Sequence, residues 1–138
     1  TVTFDSKDVA KLALCALNSS LFYWFVTVFS DCRHVNKREV DAFPLDLSAL
    51  KSSPHSDALI ERGAELMKDL RRHAVKKTMR FQHDTLNVEC IYPKHSKPII
   101  DDIDQLLAMH YGFTDKELDF IINYDIKYRM GRNGGEEE

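Results

Sequence analysis

No glycine occurs before Gly63, which is the first of only five glycines in 138 residues. A glycine-rich loop that cradles phosphate or a cofactor is therefore excluded from the part of the chain before it. The six histidines also lack HExxH or comparable ligand spacing, so we predict no metal site. Several common catalytic and cofactor-binding classes are thus unsupported at the outset.

Cysteine is scarce, and Cys15, Cys32 and Cys90 are widely separated. An odd number at such spacing predicts neither a disulfide framework nor a zinc knuckle, and a reducing cytoplasm is the expected location. The chain also lacks an initiator Met and a cationic leader. We therefore interpret it as a fragment cut from a longer cytoplasmic protein.

The composition is 43% apolar and 30% charged, with a formal net charge of −3, which predicts one globular domain over residues 1–131. The acidic tail 132–138 is expected to be disordered. The 19 residues between Lys11 and Asp31 carry no formal charge, which is just long enough for a membrane-spanning helix. Because Asn18 and Ser19 interrupt this run, a buried core helix is the preferred interpretation, with no membrane partner.

Charge is distributed unevenly along the chain. Residues 51–98 carry a net charge of +4, whereas residues 99–138 carry −6. This asymmetry has two interpretations: the middle segment faces an anionic partner, or the two segments face each other.

Three helices are predicted in the first 82 residues. Ser6 caps the first, which is expected to run to about Phe29 because its apolar residues recur at intervals of three and four. A short helix over residues 37–42 ends before Pro44, since the residue before proline avoids the helical region. A long helix is expected from Pro54 to about Gln82.

The remaining pattern predicts one weak strand and two more helices. Residues 86–92 alternate apolar and polar side chains. The next helix is expected to begin near Pro98 and to end at Gly112, and Thr114 and Glu117 form a capping box for the last. The predicted fold is mainly α: an irregular bundle of about four helices with at most a short β pair. Its centre is expected at an aromatic cluster of Phe22, Trp24, Phe25 and Phe29.

Two basic groups are candidate DNA-binding sites. The first occupies the corner after the aromatic helix, where a rigid scaffold would present donors to phosphates or base edges. It comprises Arg33, His34, Asn36, Lys37 and Arg38. The second lies near the end of the long helix and comprises Lys68, Arg71, Arg72, Lys76, Lys77 and Arg80. The alternative in both cases is a solvated surface, and cations at a helix C-terminus also favour the helix dipole.

Two acidic patterns are explained without a metal. Asp84 and Glu89 are followed by Ile91, where a nuclease signature would place a lysine. Asp101, Asp102 and Asp104 are expected in the first turn of a helix, where carboxylates favour the dipole. No residue is therefore predicted to be catalytic.

Two stretches resemble one protein family. The segment "LNSSLFYWFVTVFSDCRHVNKREVDAFPL", residues 17–45, is similar to the part of adenine-specific DNA methyltransferases of bacterial restriction-modification systems that follows the catalytic domain. The segment "KPIIDDIDQLLAMHYGFTDKELDFIINYDIKYRMG", residues 97–131, resembles the extreme C-terminus of the same proteins, often labelled type II restriction enzyme methylase subunits. Together the stretches cover roughly half of the chain, in the expected order.

The resemblance implies a parent enzyme that transfers a methyl group from S-adenosylmethionine to the exocyclic amine of a flipped adenine. The family's catalytic Asn/Asp-Pro-Pro-Tyr/Phe motif has no counterpart, because the four prolines are never adjacent. The glycine motif for the cofactor is missing too. We therefore expect this fragment neither to methylate DNA nor to bind the cofactor by itself.

By this resemblance the chain is expected to contact double-stranded DNA weakly, or to position the methyltransferase catalytic domain of its own chain. The candidate DNA-binding residues are Arg33, His34, Asn36, Lys37, Arg38, Arg72, Lys76 and Lys77. The alternative is a structural module for protein interaction or homodimerisation, without direct DNA contact.

Overall fold

The computed structural model describes residues 2–31 and 34–125, which form seven α-helices and one β-hairpin. In chain order the elements are α1 Lys7–Asn18, α2 Ser20–Phe29, α3 Lys37–Ala42, α4 Leu47–Ser52, α5 Ser56–Arg72, β1 Val75–Arg80, β2 Thr85–Cys90, a 3₁₀ turn Pro93–Ser96, α6 Lys97–Tyr111 and α7 Asp115–Ile122. The mainly helical prediction with a short β pair is confirmed, although the described helices number seven rather than about four. The tail 132–138 lies outside the described residues.

The expected single helix up to Phe29 is two helices, which meet at Ser19 with a bend of 56°. Ser6 caps α1 as predicted, because its Oγ accepts a hydrogen bond from the N–H of Val9 at 3.2 Å. The backbone of Ser19 is extended instead of helical, and its Oγ accepts a hydrogen bond from the N–H of Phe22. Serine at this position therefore ends one helix and caps the next.

No single helix among residues 2–31 and 34–125 is long and apolar enough to cross a membrane; only the bent pair of α1 and α2 reaches that length together.

The main core is aliphatic and lies between α1, α5 and α6. Its buried members are Leu12, Cys15, Leu50, Leu59, Leu66, Leu70, Ile103 and Leu107. Gly63 lets α5 approach α1 closely: a Cβ there would lie 3.0 Å from Cys15 Sγ and 3.1 Å from the Lys11 carbonyl oxygen. Close packing of α1 against α5 therefore explains the glycine at position 63.

The aromatic cluster forms a second, more exposed core. The rings of Phe22 and Phe25 pack edge-on against the ring of Phe43, at centroid distances of 5.1 Å and 5.2 Å respectively. The expected buried core helix is only partly buried, because Phe29 is 68% exposed and Tyr23 is 58% exposed. The aromatic helix covers one side of the body instead of filling its centre.

Local chemistry sets the next helix boundaries. Helix α3 ends before Phe43 and Pro44, as predicted. The long helix α5 begins at Ser56 instead of Pro54, since Pro54 lies in the preceding turn. In that turn, Ser53 Oγ accepts a hydrogen bond from the N–H of His55 at 3.3 Å.

Helix α5 ends at Arg72, ten residues before the predicted end, and the chain then forms an antiparallel hairpin. The register pairs Val75 with Cys90 and Arg80 with Thr85. Lys76 and Lys77, predicted to lie on the helix, are therefore on a strand. Residues 75–80 form a strand because they pair with β2, and the helical pattern that we extended through this segment does not apply there.

The last two helices follow their predicted signals. Gly112 ends α6 in the left-handed conformation, with φ of +76°. The hydroxyl of Thr114 accepts from the N–H of Glu117 at 3.2 Å, and the Glu117 carboxylate accepts from the N–H of Thr114 at 2.8 Å. The capping box is therefore confirmed.

The expected position of the three aspartates in the first turn of α6 is wrong. The helix begins at Lys97, so its first turn contains no acidic residue. Asp101 pairs with Lys97, whereas Asp104 is buried against the start of α2. These carboxylates are explained by specific partners instead of the helix dipole.

Candidate nucleic-acid interface

The corner between α2 and α3 contains the first predicted group, of which Arg33 lies outside the described residues. The backbone N–H of Asn36 donates to Glu39 Oε2 at 2.9 Å, which fixes the start of α3. Lys37 pairs with Asp41, and Arg38 Nη2 lies 3.1 Å from Glu39 Oε1. Both described cations of the corner therefore have a carboxylate neighbour, which lowers the positive potential there.

Glu39 is the acceptor that organises this corner, and it is buried. Hydrogen bonds from its own backbone N–H, from that of Asn36 and from the Arg38 and Ser30 side chains hold its pKa below the usual value, against the opposing effect of desolvation. The corner is thus ordered by an ionised carboxylate. Its polar groups form hydrogen bonds that hold the start of α3 in place.

His34 lines an apolar groove of about 440 Å³. The groove runs between α2 and the 3₁₀ turn, where Phe22, Val26 and Pro93 line it. His34 therefore has an apolar setting, whereas Lys37 and Arg38 each pair with a carboxylate.

The second predicted group has a different electrostatic setting. We define the basic end as the exposed cations on the last turns of α5 and on β1 that form no ion pair with any other residue within 2–31 and 34–125. Its members are Lys68, Arg71, Arg72, Lys76 and Arg80. Lys76 lies opposite Glu89 across the strands, which partly compensates its charge, and the other four cations make this surface attractive to anions.

The one carboxylate within this stretch of α5 points away from the basic end. Ser96 Oγ donates to Asp69 Oδ2 at 2.6 Å, and His73 Nδ1 lies 3.5 Å from Asp69 Oδ1. The ring of His73 also stacks on His95 at 4.8 Å. These contacts join the end of α5 to the 3₁₀ turn and leave the cations on the outer surface.

The hairpin has two chemically different faces, because cross-strand partners share a face. One face carries the pairs Lys76 and Glu89, Thr78 and Asn87, and Arg80 and Thr85. The other carries Val75 and Cys90, Lys77 and Val88, and Met79 and Leu86. We call these the polar face and the apolar face of the hairpin.

Lys76 and Lys77 therefore lie on opposite faces, although they were predicted to act together. The Lys77 ammonium lies 5.5 Å from the centre of the Tyr92 ring. A hydrogen bond and the charge of Tyr92 raise the pKa of Lys77 above its usual value. Lys77 is thus engaged beside the apolar face, while Arg72 and Lys76 belong to the basic end.

Sequence reasoning missed the polar residues of the hairpin, namely Thr78, Thr85, Asn87 and Glu89. The hydroxyl of Thr78 donates to Asn87 Oδ1 at 3.0 Å across the strands. The alternation of residues 75–80 was the available signal, but Lys77 on the apolar face obscured it. The predicted helix was therefore extended over β1, and only β2 was predicted as a strand.

No cluster of three or more His, Cys, Asp or Glu side chains within residues 2–31 and 34–125 is arranged to hold a metal ion.

Comparison with models of protein families, with curated proteins and with solved structures found no match for this chain.

Proposed function

We propose that this chain is the DNA-contacting and domain-positioning segment of an adenine-specific DNA methyltransferase of a bacterial restriction-modification system. By itself it is non-catalytic, and S-adenosylmethionine binds to the parent enzyme elsewhere. The proposal includes a cytoplasmic location. Its sequence support is the resemblance of residues 17–45 and 97–131 to the region that follows the catalytic domain of those enzymes.

The basic end is the observation that carries the DNA-contacting role. Its five exposed cations form no ion pair among the described residues, although Lys76 has Glu89 as its cross-strand neighbour. Lys37 and Arg38 of the corner each pair with a carboxylate. Neutralising phosphates and releasing counterions supplies most of the affinity of non-specific DNA binding. We therefore assign the main phosphate contacts to Lys68, Arg71 and Arg72, and a smaller share to the corner.

The net charge of −3 limits the affinity of the isolated chain. Carboxylates elsewhere repel the duplex, so binding is weak and is lost as salt rises. In the parent protein the catalytic domain adds its own contacts. This chain then contributes orientation as well as affinity.

The test is fluorescence anisotropy of a labelled 30-base-pair duplex titrated with the chain at low and at moderate salt. Binding at low salt that weakens as salt rises is expected. Charge reversal of Arg71 and Arg72 to Glu should abolish it, and charge reversal of Lys37 and Arg38 should weaken it less. If the unmodified chain leaves the anisotropy unchanged at low salt, the DNA-contacting role is wrong.

A second candidate function is a protein-interaction module that self-associates without touching DNA. The apolar face of the hairpin favours it, because Val75, Met79 and Leu86 are 44–51% exposed there. An isolated two-stranded sheet is marginally stable in water, so a protein partner on this face would stabilise it. The acidic segment 99–138 offers charges complementary to the basic end of a second copy.

Size-exclusion chromatography with light scattering separates the two candidates. A dimer that dissociates as salt rises, together with no DNA affinity, supports the interaction module. Met79→Ser with Leu86→Ser should then give a monomer. A monomer that binds DNA supports the methyltransferase segment.

A further inference from the structure

The hairpin has the dimensions of an element that enters a DNA groove. Each strand has six residues, so the ribbon is about 20 Å long at about 3.4 Å per residue. The major groove of B-form DNA is about 12 Å wide and admits a two-stranded ribbon. All of β1 and the first half of β2 are exposed, and neither strand packs extensively against a helix. The ribbon is therefore accessible to a partner as large as a duplex.

The chemistry of the polar face matches the edges of base pairs. Arg80 presents the donors that pair with guanine O6 and N7, and Asn87 presents the donor and acceptor that pair with adenine N7 and N6. The Thr78 hydroxyl occupies one lone pair of Asn87 Oδ1. That contact orients the amide while leaving a second lone pair and both N–H groups available.

The spacing on this face also fits a duplex. Arg80 and Asn87 lie on neighbouring rungs of the polar face, which are about 7 Å apart along the strands. This distance corresponds to about two base-pair steps of about 3.4 Å. The two side chains therefore reach different base pairs.

Two members of the basic end lie at the base of the same hairpin. Arg71 and Arg72 end α5 only two residues before β1 begins. Cations at that position meet the phosphates that border a groove when the ribbon occupies it. Phosphate contacts would then set the register, and the polar face would contact the bases.

From this arrangement we propose that the hairpin reads DNA sequence in the major groove through Arg80 and Asn87 on its polar face. The inference rests on the proposed function and names the element that distinguishes one site from another. It also leaves the apolar face turned away from the DNA.

The first step of the test is selection of duplexes from a random library by the 138-residue chain at low salt. We expect enrichment of a short motif that contains a guanine and an adenine. In the enriched duplex, 7-deazaadenine should then replace adenine, which removes the major-groove N7 acceptor without changing charge or the minor groove. Affinity is expected to fall about tenfold, as for the loss of one bidentate contact.

Variants connect this loss to the hairpin. Asn87→Ala should bind the normal and the 7-deazaadenine duplex equally, and Arg80→Ala should lose the preference for guanine because it removes every donor to O6 and N7. Leu86→Ala is the matched control, because it is the exposed neighbour of Asn87 on the opposite face. It should retain the motif and the sensitivity to 7-deazaadenine. Circular dichroism checks that each variant is folded.

The outcomes separate this inference from the function on which it rests. No binding to any duplex at low salt overturns the proposed function and the inference together. Salt-sensitive binding without an enriched motif, or an equal loss in Asn87→Ala and Leu86→Ala, overturns hairpin reading and leaves the DNA-contacting role standing. A motif that survives Asn87→Ala and Arg80→Ala unchanged also overturns it.

Discussion

Asp104 Oδ1 accepts a hydrogen bond from the backbone N–H of Ser20 at 2.8 Å, so a side chain of α6 caps α2 from 84 positions away in sequence. The carboxylate is 2% exposed, and its Oδ2 has no hydrogen-bond partner within the described part of the chain. Burial raises the pKa of Asp104 to about 6, against the lowering effect of the contacts with Ser20. The bend between α1 and α2 thus depends on a group that titrates below neutral pH.

This raised pKa predicts a pH dependence of stability. The folded chain holds the Asp104 proton more tightly than the unfolded chain, whose pKa lies near 3.8. The contribution of this group is therefore largest below about pH 4 and is lost as pH rises through about 6, by up to about 3 kcal/mol. Asp104→Asn keeps an acceptor for Ser20 and should remove this slope in urea unfolding between pH 4.5 and 7.

Asp102→Asn is the matched control for that experiment. Asp102 lies on the same helix and has Arg62 as a neighbour at the surface, where removing an ion pair costs little. Its unfolding curve should keep the pH slope of the unmodified chain. An Asp104→Asn variant with that same slope would show that the buried carboxyl does not control it.

Gly63→Ala should destabilise the chain because α5 and α1 touch at this glycine. The added Cβ would lie 3.1 Å from a backbone oxygen of Lys11, so the helices must separate. Overpacking costs about 1–3 kcal/mol, and the better helix propensity of alanine returns about 1 kcal/mol. We expect a net loss of up to about 2 kcal/mol in chemical denaturation.

A double-mutant cycle with Cys15→Ala tests this explanation. Cys15 Sγ lies 3.0 Å from the added Cβ, so shortening this side chain relieves part of the overlap. The double variant should therefore lose less stability than the two single variants predict together. If the losses of stability in the two single variants simply add, the cost of Gly63→Ala does not come from contact with Cys15.

Gly112→Ala should lower stability through the backbone alone. Glycine there has φ of +76°, and an added Cβ would meet no atom within 4 Å. The left-handed conformation costs an L-residue about 1–2 kcal/mol. Gly112→Asn should lose less, because asparagine tolerates this region better. Equal melting temperatures for all three chains would contradict the assignment of Gly112 as a C-terminal cap.

The salt dependence of DNA binding should identify the phosphate contacts. Each lost contact lowers the slope of log K against log salt by about 0.9. The triple variant Lys68→Ala, Arg71→Ala, Arg72→Ala should therefore lose up to about 2.7 of this slope. Lys37→Ala with Arg38→Ala should change it less, because Asp41 and Glu39 already neighbour those cations. A larger change of slope in the Lys37 and Arg38 variant than in the triple variant would instead assign the phosphate contacts to the corner.

Sequence patterns predicted those elements whose boundaries depend on neighbouring residues. Pro44 ends α3, Gly112 ends α6, and the Thr114 capping box begins α7, in each case through a contact within a few positions. The break at Ser19 also has a local signal, since its hydroxyl caps α2. Its other support, the carboxylate of Asp104, comes from a distant helix and has no local pattern.

The candidate site was predicted only in part, for a related reason. The basic residues of 68–80 were recognised, but their placement on two faces follows from pairing with β2, five to fifteen positions away. The pattern of β1 alone is ambiguous because Lys77 interrupts its apolar face. Asn87 and Thr78 therefore drew no attention until the register brought them together.

A two-stranded sheet consists entirely of edges, and this one is largely uncovered. The outer row of backbone N–H and C=O groups on each strand is an open template for further strands. Lys76, Lys77 and Arg80 on β1 act as gatekeepers against such stacking, since like charges repel when copies approach edge to edge. Neutralising these cations would therefore weaken a ligand contact and would also promote fibrillar aggregation of the chain.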